Sequence, residues 1–279
     1  MDTHLVTKKF SLMGAKVRFG EMSGRQAFRL PGAANAQPFA LDVKKDNDRR
    51  QHFEFLVHPT APNLEVTVPD LQIKDRHLTL RVGWKEAGND HKATFLCGHD
   101  ERFWFAAAIP EKAHAHTVQA AKQALKPAVV LESLMTHGVK PTRLNDRKNA
   151  GYVRQGEWFF VPSPGFEPDV RLILYKEPLR RGRGKPHLAE FLYREGGTAV
   201  YTCDQHPNGL TESLFRALIK REPEKRNLPW RSMTSDAVVH VKGRIRHPDH
   251  RTVVLPCWHR VAPNTESESQ AKSGLAFLD

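Results

Sequence analysis

Apolar residues at every second position constrain this chain more than any other feature it has. In Leu64-Glu-Val-Thr-Val68 and His77-Leu-Thr-Leu-Arg-Val-Gly-Trp84 they recur with period two, the spacing at which an extended chain sends successive side chains to opposite faces. A helix needs a period near 3.6, so such segments bury an apolar face as strands. Ala93–Cys97 and Phe103–Ile109 flank Gly98-His-Asp-Glu-Arg102, which reads as a hairpin. In the second half, strands are expected at Trp158–Val161, Val170–Tyr175, Leu188–Tyr193, Thr198–Thr202, Val238–Arg246 and Thr252–Leu255.

Helical signals are fewer. Thr117 can cap Val118–Leu125, Pro127 suits the start of a helix from Ala128 to His137, and Gly138 suits its end. Val129, Leu131, Leu134 and Met135 of that helix are expected in the core. A third helix, about Glu212 to Lys220, follows Thr211. The expected fold class is α+β, mostly β: two β-rich domains, barrel or sandwich-like, with a short helical pair near the middle. The polar, aperiodic stretch Lys140–Asn149 marks the boundary. This gives an N-terminal β-rich domain over 1–140 ending in the two helices, a C-terminal β-rich domain over 150–263, and a flexible tail over 264–279. Residues 31–38 read as a loop.

Composition narrows the partners. Forty-three Lys and Arg stand against thirty-one Asp and Glu, a net charge of +12. A chain so basic attracts polyanions, since each neutralised phosphate releases counterions. Nucleic acid, RNA or DNA, is therefore the expected partner; the sequence identifies no protein partner. No apolar run reaches the ~18 residues of a membrane helix, and the first residues lack the apolar centre of a secretion signal, so no membrane partner is expected. Three scattered cysteines, Cys97, Cys203 and Cys257, do not make a disulfide framework. These features lead us to expect a cytoplasmic protein.

The densest chemistry lies in Arg246-His247-Pro248-Asp249-His250-Arg251. Pro and Asp suit a β-turn, which brings its end residues within ~7 Å. Both imidazoles could then meet one metal ion or one phosphate. Two histidines make half of a zinc site; His187, Glu190, His259 and Cys257 are candidates for a third ligand. One divalent metal, zinc or similar, is the cofactor this pattern suggests, on His187, His247 and His250. The same three histidines, which titrate near neutral pH, could serve as general acid and base without a metal. The plain alternative is a solvated turn. Arg246 and Arg251 beside it disfavour a bare cation and favour an anion.

A second feature feeds the first. Arg180, Arg181, Arg183 and Lys185 are interleaved with glycines and lead to His187. Guanidinium forks match phosphate oxygens, so this loop and Arg246 and Arg251 are the expected phosphate- or nucleic-acid-binding residues. The pairs Cys97/His99, Cys203/His206 and Cys257/His259 lack zinc-finger spacing. Trp158, Phe159, Phe160 and Trp258 could stack on bases, though such residues more often fill β cores.

Arg154-Gln-Gly-Glu157, Gly184-Lys-Pro-His187, His247-Pro-Asp-His250 and Leu255-Pro256 follow one another in the order of an uncharacterised type of small bacterial and phage β domain, which residues from about 151 to 266 resemble. Ala189 stands where that pattern places a second histidine. The resemblance implies no activity, but it groups His187 with His247 and His250. His187-Leu-Ala-Glu190 and Pro256-Cys-Trp-His259 also resemble the metal motifs of a cupin barrel, without the second histidine of the first and the glycine of the second.

The expected function is binding of nucleic acid or another phosphorylated ligand through the C-terminal domain, with hydrolysis of phosphodiesters as the reaction if there is one. The alternatives are a non-catalytic RNA- or DNA-binding accessory protein of a mobile element, and a cupin-like metal-binding β-barrel.

Overall fold

The computed structural model describes residues 2–22, 38–61, 63–86, 88–181 and 185–268. The loop read at 31–37, Arg183 and the tail beyond residue 268 lie outside them. The fold is α+β and mostly β, with four α-helices and several sheets, none closing into a barrel among the described residues. Nor is any helix among them long and apolar enough to cross a membrane. The chain divides into two units: Met1–Glu157 with the segment from Pro263, and Trp158–Ala262.

In the first unit Asp2 opens α1 (Thr3–Leu12), its carboxylate accepting the N–H of Leu5 at 3.0 Å. β1 (Val17–Glu21), β2 (Phe39–Lys45) and β3 (Gln51–Val57) form a sheet in the order β1-β3-β2, with β1 parallel to β3 and β2 antiparallel to it. β4 (Glu65–Gln72), β5 (His77–Glu86), β6 (Asn89–Asp100) and β7 (Phe103–Ile109) form an antiparallel meander. The period-two pattern explains how β6 is buried on both faces. Ala93, Phe95 and Cys97 join Phe10, Phe39, Phe53 and Phe55 in one core, while Leu96 joins Ile109, Val118 and Ala121 in another.

Val118 and Ala121 belong to α2 (Val118–Ala124), where Thr117 Oγ1 accepts the N–H of Ala120 at 3.1 Å as its cap. α3 (Ala128–Thr136) buries Val130, Ser133 and Leu134, a stripe at helical spacing. Leu131 and Met135, expected in the core, are exposed, Met135 at 73%. Each follows a buried residue and so stands about 100° round the helix from it.

The two units meet at Glu157, some residues beyond the stretch 140–149. Arg147 pairs with Asp100 and Glu101 at the β6–β7 tip, and Arg154 also reaches Asp100 at 3.2 Å. These pairs hold the following residues, including the short β8 (Val153–Gln155), to the first unit. The start of the expected flexible tail is packed too. Thr265 Oγ1 donates to the carbonyl of Ala124 at 2.6 Å, Glu266 Oε1 accepts the N–H of Ala108 at 3.3 Å, and both residues are buried.

The second unit contains β9 (Trp158–Pro162), β10 (Leu174–Leu179), β11 (His187–Glu195), β12 (Thr198–Cys203), β13 (His206–Thr211), α4 (Glu212–Arg221), β14 (Arg231–Ser235), β15 (Val238–Arg246) and β16 (Val253–Pro263). Five strands run in the order β10-β11-β15-β16-β9; the other three form a small sheet, β13-β12-β14. On the small sheet, Phe215 of α4 stacks on Tyr201 at 4.4 Å. The strand expected from Val170 begins only at Leu174. Asp169 accepts the N–H of Arg171 and bends Val170–Leu172 into a 3-10 turn. Trp158, Phe159 and Phe160 are buried core residues, which removes them as a stacking platform.

A candidate metal centre of three histidines

The site begins with a defect in the ladder between β11 and β15. At one end Leu188 faces Arg246 and Ala189 faces Ile245; beyond the defect Phe191 faces Lys242 and Leu192 faces Val241. Gly243 and Arg244 thus stand opposite the single residue Glu190, a one-residue bulge on β15. Gly243 has φ +81°, and a Cβ there would lie 2.7 Å from Glu190 Oε2 and 3.0 Å from the Phe191 ring. Glu190 Oε2 closes the bulge by accepting the N–H of Arg244 at 2.8 Å. Carried on unbroken, the register of Leu192 with Val241 would set Arg246 opposite His187. The bulge sets His247 there instead.

The rings bear this out. His187 and His247 stack with centroids 4.2 Å apart, and His250 lies 5.6 Å from His187 and 4.7 Å from His247. The chain bends at Pro248–His250 between β15 and β16, which turns His250 back toward the pair. Each histidine offers one nitrogen, and the three nitrogens lie within 4.8 Å of one another. His187 therefore reaches the turn.

His187 is the unusual member. It is 1% exposed, and neither ring nitrogen has a hydrogen-bond partner among the described residues. Burial, with some help from His247 and His250, pushes its pKa down to about 3, because a desolvated imidazole resists taking a charge. The buried indole N–H of Trp158, whose ring is 6.3 Å from that of His187, has no hydrogen-bond partner among the described residues. His247 is held more firmly: its Nδ1 accepts the N–H of Asp249 and its Nε2 lies against the carbonyl of Lys185, both at 3.1 Å. Lys185 Nζ in turn contacts both oxygens of Asp249, at 3.1 and 3.0 Å.

This donor set fits a transition-metal ion. Three neutral imidazoles with no carboxylate in the group suit zinc, copper, nickel or cobalt better than magnesium or calcium. In a tetrahedral zinc site the nitrogens lie about 3.3 Å apart, given Zn–N near 2.0–2.1 Å. The three nitrogens, within 4.8 Å of one another, stand near that spacing. Three protein ligands would leave one position open, as catalytic zinc sites do.

The other candidates are not gathered here. Arg246, exposed beside Leu188, projects from the sheet face opposite His187, because neighbours along a strand alternate. Arg246 therefore does not face the histidine cluster. Lys185 is paired with Asp249, Arg180 and Arg251 are exposed, and Arg181 is half-buried. Glu190 is taken up by the bulge, and His259 Nδ1 faces the carbonyl of Cys257 at 2.8 Å. Neither Glu190, His259 nor Cys257 joins the cluster, so a cupin-type triad is not assembled. The cysteines are unbonded, with the thiol of buried Cys97 pushed up by desolvation.

Sequence reasoning missed Asp249 as the partner of Lys185, Trp158 as a neighbour of His187, and the bulge. An isolated glycine inside the strand pattern, Gly243, was the available signal for the last.

Fold and site together define a mostly β protein carrying a three-histidine cluster, one member buried and two half-buried, at the end of a bulged ladder. No protein-family model matches the chain, and no curated protein or solved structure compared with it matches either. The resemblance noted over residues 151–266 rests on its own motifs.

Proposed function

We propose that the second unit binds one divalent transition-metal ion through His187, His247 and His250 and uses it on a phosphorylated ligand, nucleic acid above all, with phosphodiester hydrolysis as the reaction. The observation that carries this reading is His187, a buried imidazole with neither nitrogen hydrogen-bonded among the described residues and two further imidazoles beside it. Leaving a buried polar group unsatisfied costs about 1–3 kcal/mol, and a metal ion taking its lone pair would remove that cost. An ion held by these three histidines would lower the pKa of bound water, the chemistry that hydrolysis of a phosphodiester requires. The net charge of +12, and Arg180, Arg181, Lys185 and Arg251 in the segments leading into and out of the histidines, favour an anionic ligand in a cytoplasmic setting.

The test is metal analysis of the purified chain beside His187→Ala and His250→Ala, followed by incubation with single-stranded DNA and RNA. Close to one ion per wild-type chain, lost in both variants, and cleavage that follows the ion are expected. A wild-type protein with no stoichiometric ion after zinc loading overturns the metal. Binding without cleavage leaves the accessory-protein reading. In that case affinity should fall steeply with salt, and Arg180→Ala with Arg181→Ala should flatten the slope.

A further inference from the structure

Two of the contacts of His247 define its tautomer. Nδ1 faces a donor, the N–H of Asp249, and so carries the lone pair; Nε2 faces an acceptor, the carbonyl of Lys185, and so carries the proton. We infer that His247 ligates a metal ion through Nδ1, keeping its Nε2–H on the Lys185 carbonyl, and that the backbone N–H of Asp249 is the group the ion displaces. The inference rests on the metal reading above and specifies how the site closes.

The two modes of ligation differ in what they disturb. Ligation through Nδ1 uses the lone pair already present and gives up one hydrogen bond. Ligation through Nε2 requires the proton to move to Nδ1, which loses the bond to Lys185 and turns Nδ1–H against the N–H of Asp249. Metal-bound histidines usually donate their second N–H to a carbonyl or carboxylate, which fixes the ring; the Lys185 carbonyl is already in that place. Lys185 precedes His187 by two residues, so one short segment supplies a ligand and orients another. The ion pair of Lys185 with Asp249 ties the same two segments a second time. Lys185 and Asp249 are thereby positioning residues for the site.

Spectra of the full chain labelled with 15N-histidine, recorded before and after zinc chloride is added, test this, with His247→Ala used to assign the signals. Expected without zinc is an unprotonated Nδ1 and a protonated Nε2 on His247; with zinc, Nδ1 moves to the metal-bound range and Nε2 keeps its proton. Zinc bound at Nε2, or an Nδ1–H tautomer in the metal-free protein, overturns this inference alone. A chain that binds no zinc overturns the metal reading and the inference with it. A second comparison uses side chains that reach the two positions. The amide of His247→Asn stands near Nδ1 and that of His247→Gln near Nε2, so both variants should bind zinc more weakly than wild type and the Asn variant should keep the greater share of the affinity. Equal affinities, or the reverse order, count against Nδ1.

Discussion

Glu190 accepts the backbone N–H of Arg244 at 2.8 Å, and this bond holds open the bulge that sets His247 opposite His187. A carboxylate that the sequence offers as a metal ligand serves the site from a distance, by setting a register. Gly243 completes the device, since its φ of +81° and the 2.7 Å between its absent Cβ and Glu190 Oε2 leave no room for a side chain.

Gly243→Ala should therefore damage the site more than the fold. A non-glycine residue at positive φ costs about 1–3 kcal/mol, and relief would come from sliding β15 by one residue, which puts Arg246 in place of His247. Calorimetry should show a lowered melting temperature, and metal analysis of the still-folded protein should show a clear deficit. An alanine variant that melts like wild type and loads zinc fully would mean that the bulge does not set the pair.

His187→Leu should separate stability from function. The leucine side chain is close in volume and has no polar atoms to leave unsatisfied, so in chelator the variant should be more stable than wild type by about 1–2 kcal/mol. Denaturant titration measures this. Zinc binding should be lost at the same time. If the variant is less stable in chelator, the nitrogens of His187 are not the liability the structure makes them.

What the sequence made legible follows from the range of each signal. Period-two alternation is local, and it placed the β5–β6–β7 meander, β11, β12 and β15. The caps and breakers around Val118–Ala124 and Ala128–Thr136 are local as well, and they placed both helices. α1 and β1 to β3 went unread, although Phe39, Leu41 and Val43 of β2 and Phe53, Phe55 and Val57 of β3 alternate with period two; for the five-residue β1 the partner that orders it, β3, lies more than thirty residues on. Of the site, the trio His187, His247 and His250 was legible from turn chemistry and resemblance. Its geometry was not. The parity of the β11–β15 register depends on a bulge that only the pairing of two distant strands reveals, and that parity also puts Arg246 on the other face.

Acid should destabilise the protein through His187. Its pKa is about 3 in the fold against about 6.5 when unfolded. Below pH 6.5 the unfolded chain binds a proton that the folded chain refuses, so stability falls as the pH drops from 6.5 toward 3. The full span is at most on the order of 4–5 kcal/mol. His77, pushed down to about 4 by burial, acts in the same direction in the other unit. Stability measured against pH in chelator, for wild type and His187→Leu, isolates the first contribution: the two curves should diverge below pH 6.5. Parallel curves would mean that His187 is protonated in the fold.

Lys126 makes the opposite end of the pH scale informative. It is 4% exposed, at the end of α2, and its ammonium donates to Asn145 Oδ1 at 2.6 Å and to the carbonyl of Lys122 at 3.3 Å, with no carboxylate partner among the described residues. Burial first, then the charges of Arg154 and Lys122, push its pKa down to about 7. Between pH 7 and the unfolded value near 10.4, the unfolded chain holds a proton that the folded one has released. Stability should therefore rise with pH across that window, by an amount on the order of 4 kcal/mol at most. Lys126→Met keeps the packing and removes the titration. It should be more stable than wild type at pH 7, and the difference should shrink as the pH approaches 10. Denaturant unfolding at several pH values measures both. A variant that is less stable at every pH would show that the bond to Asn145 outweighs the buried charge.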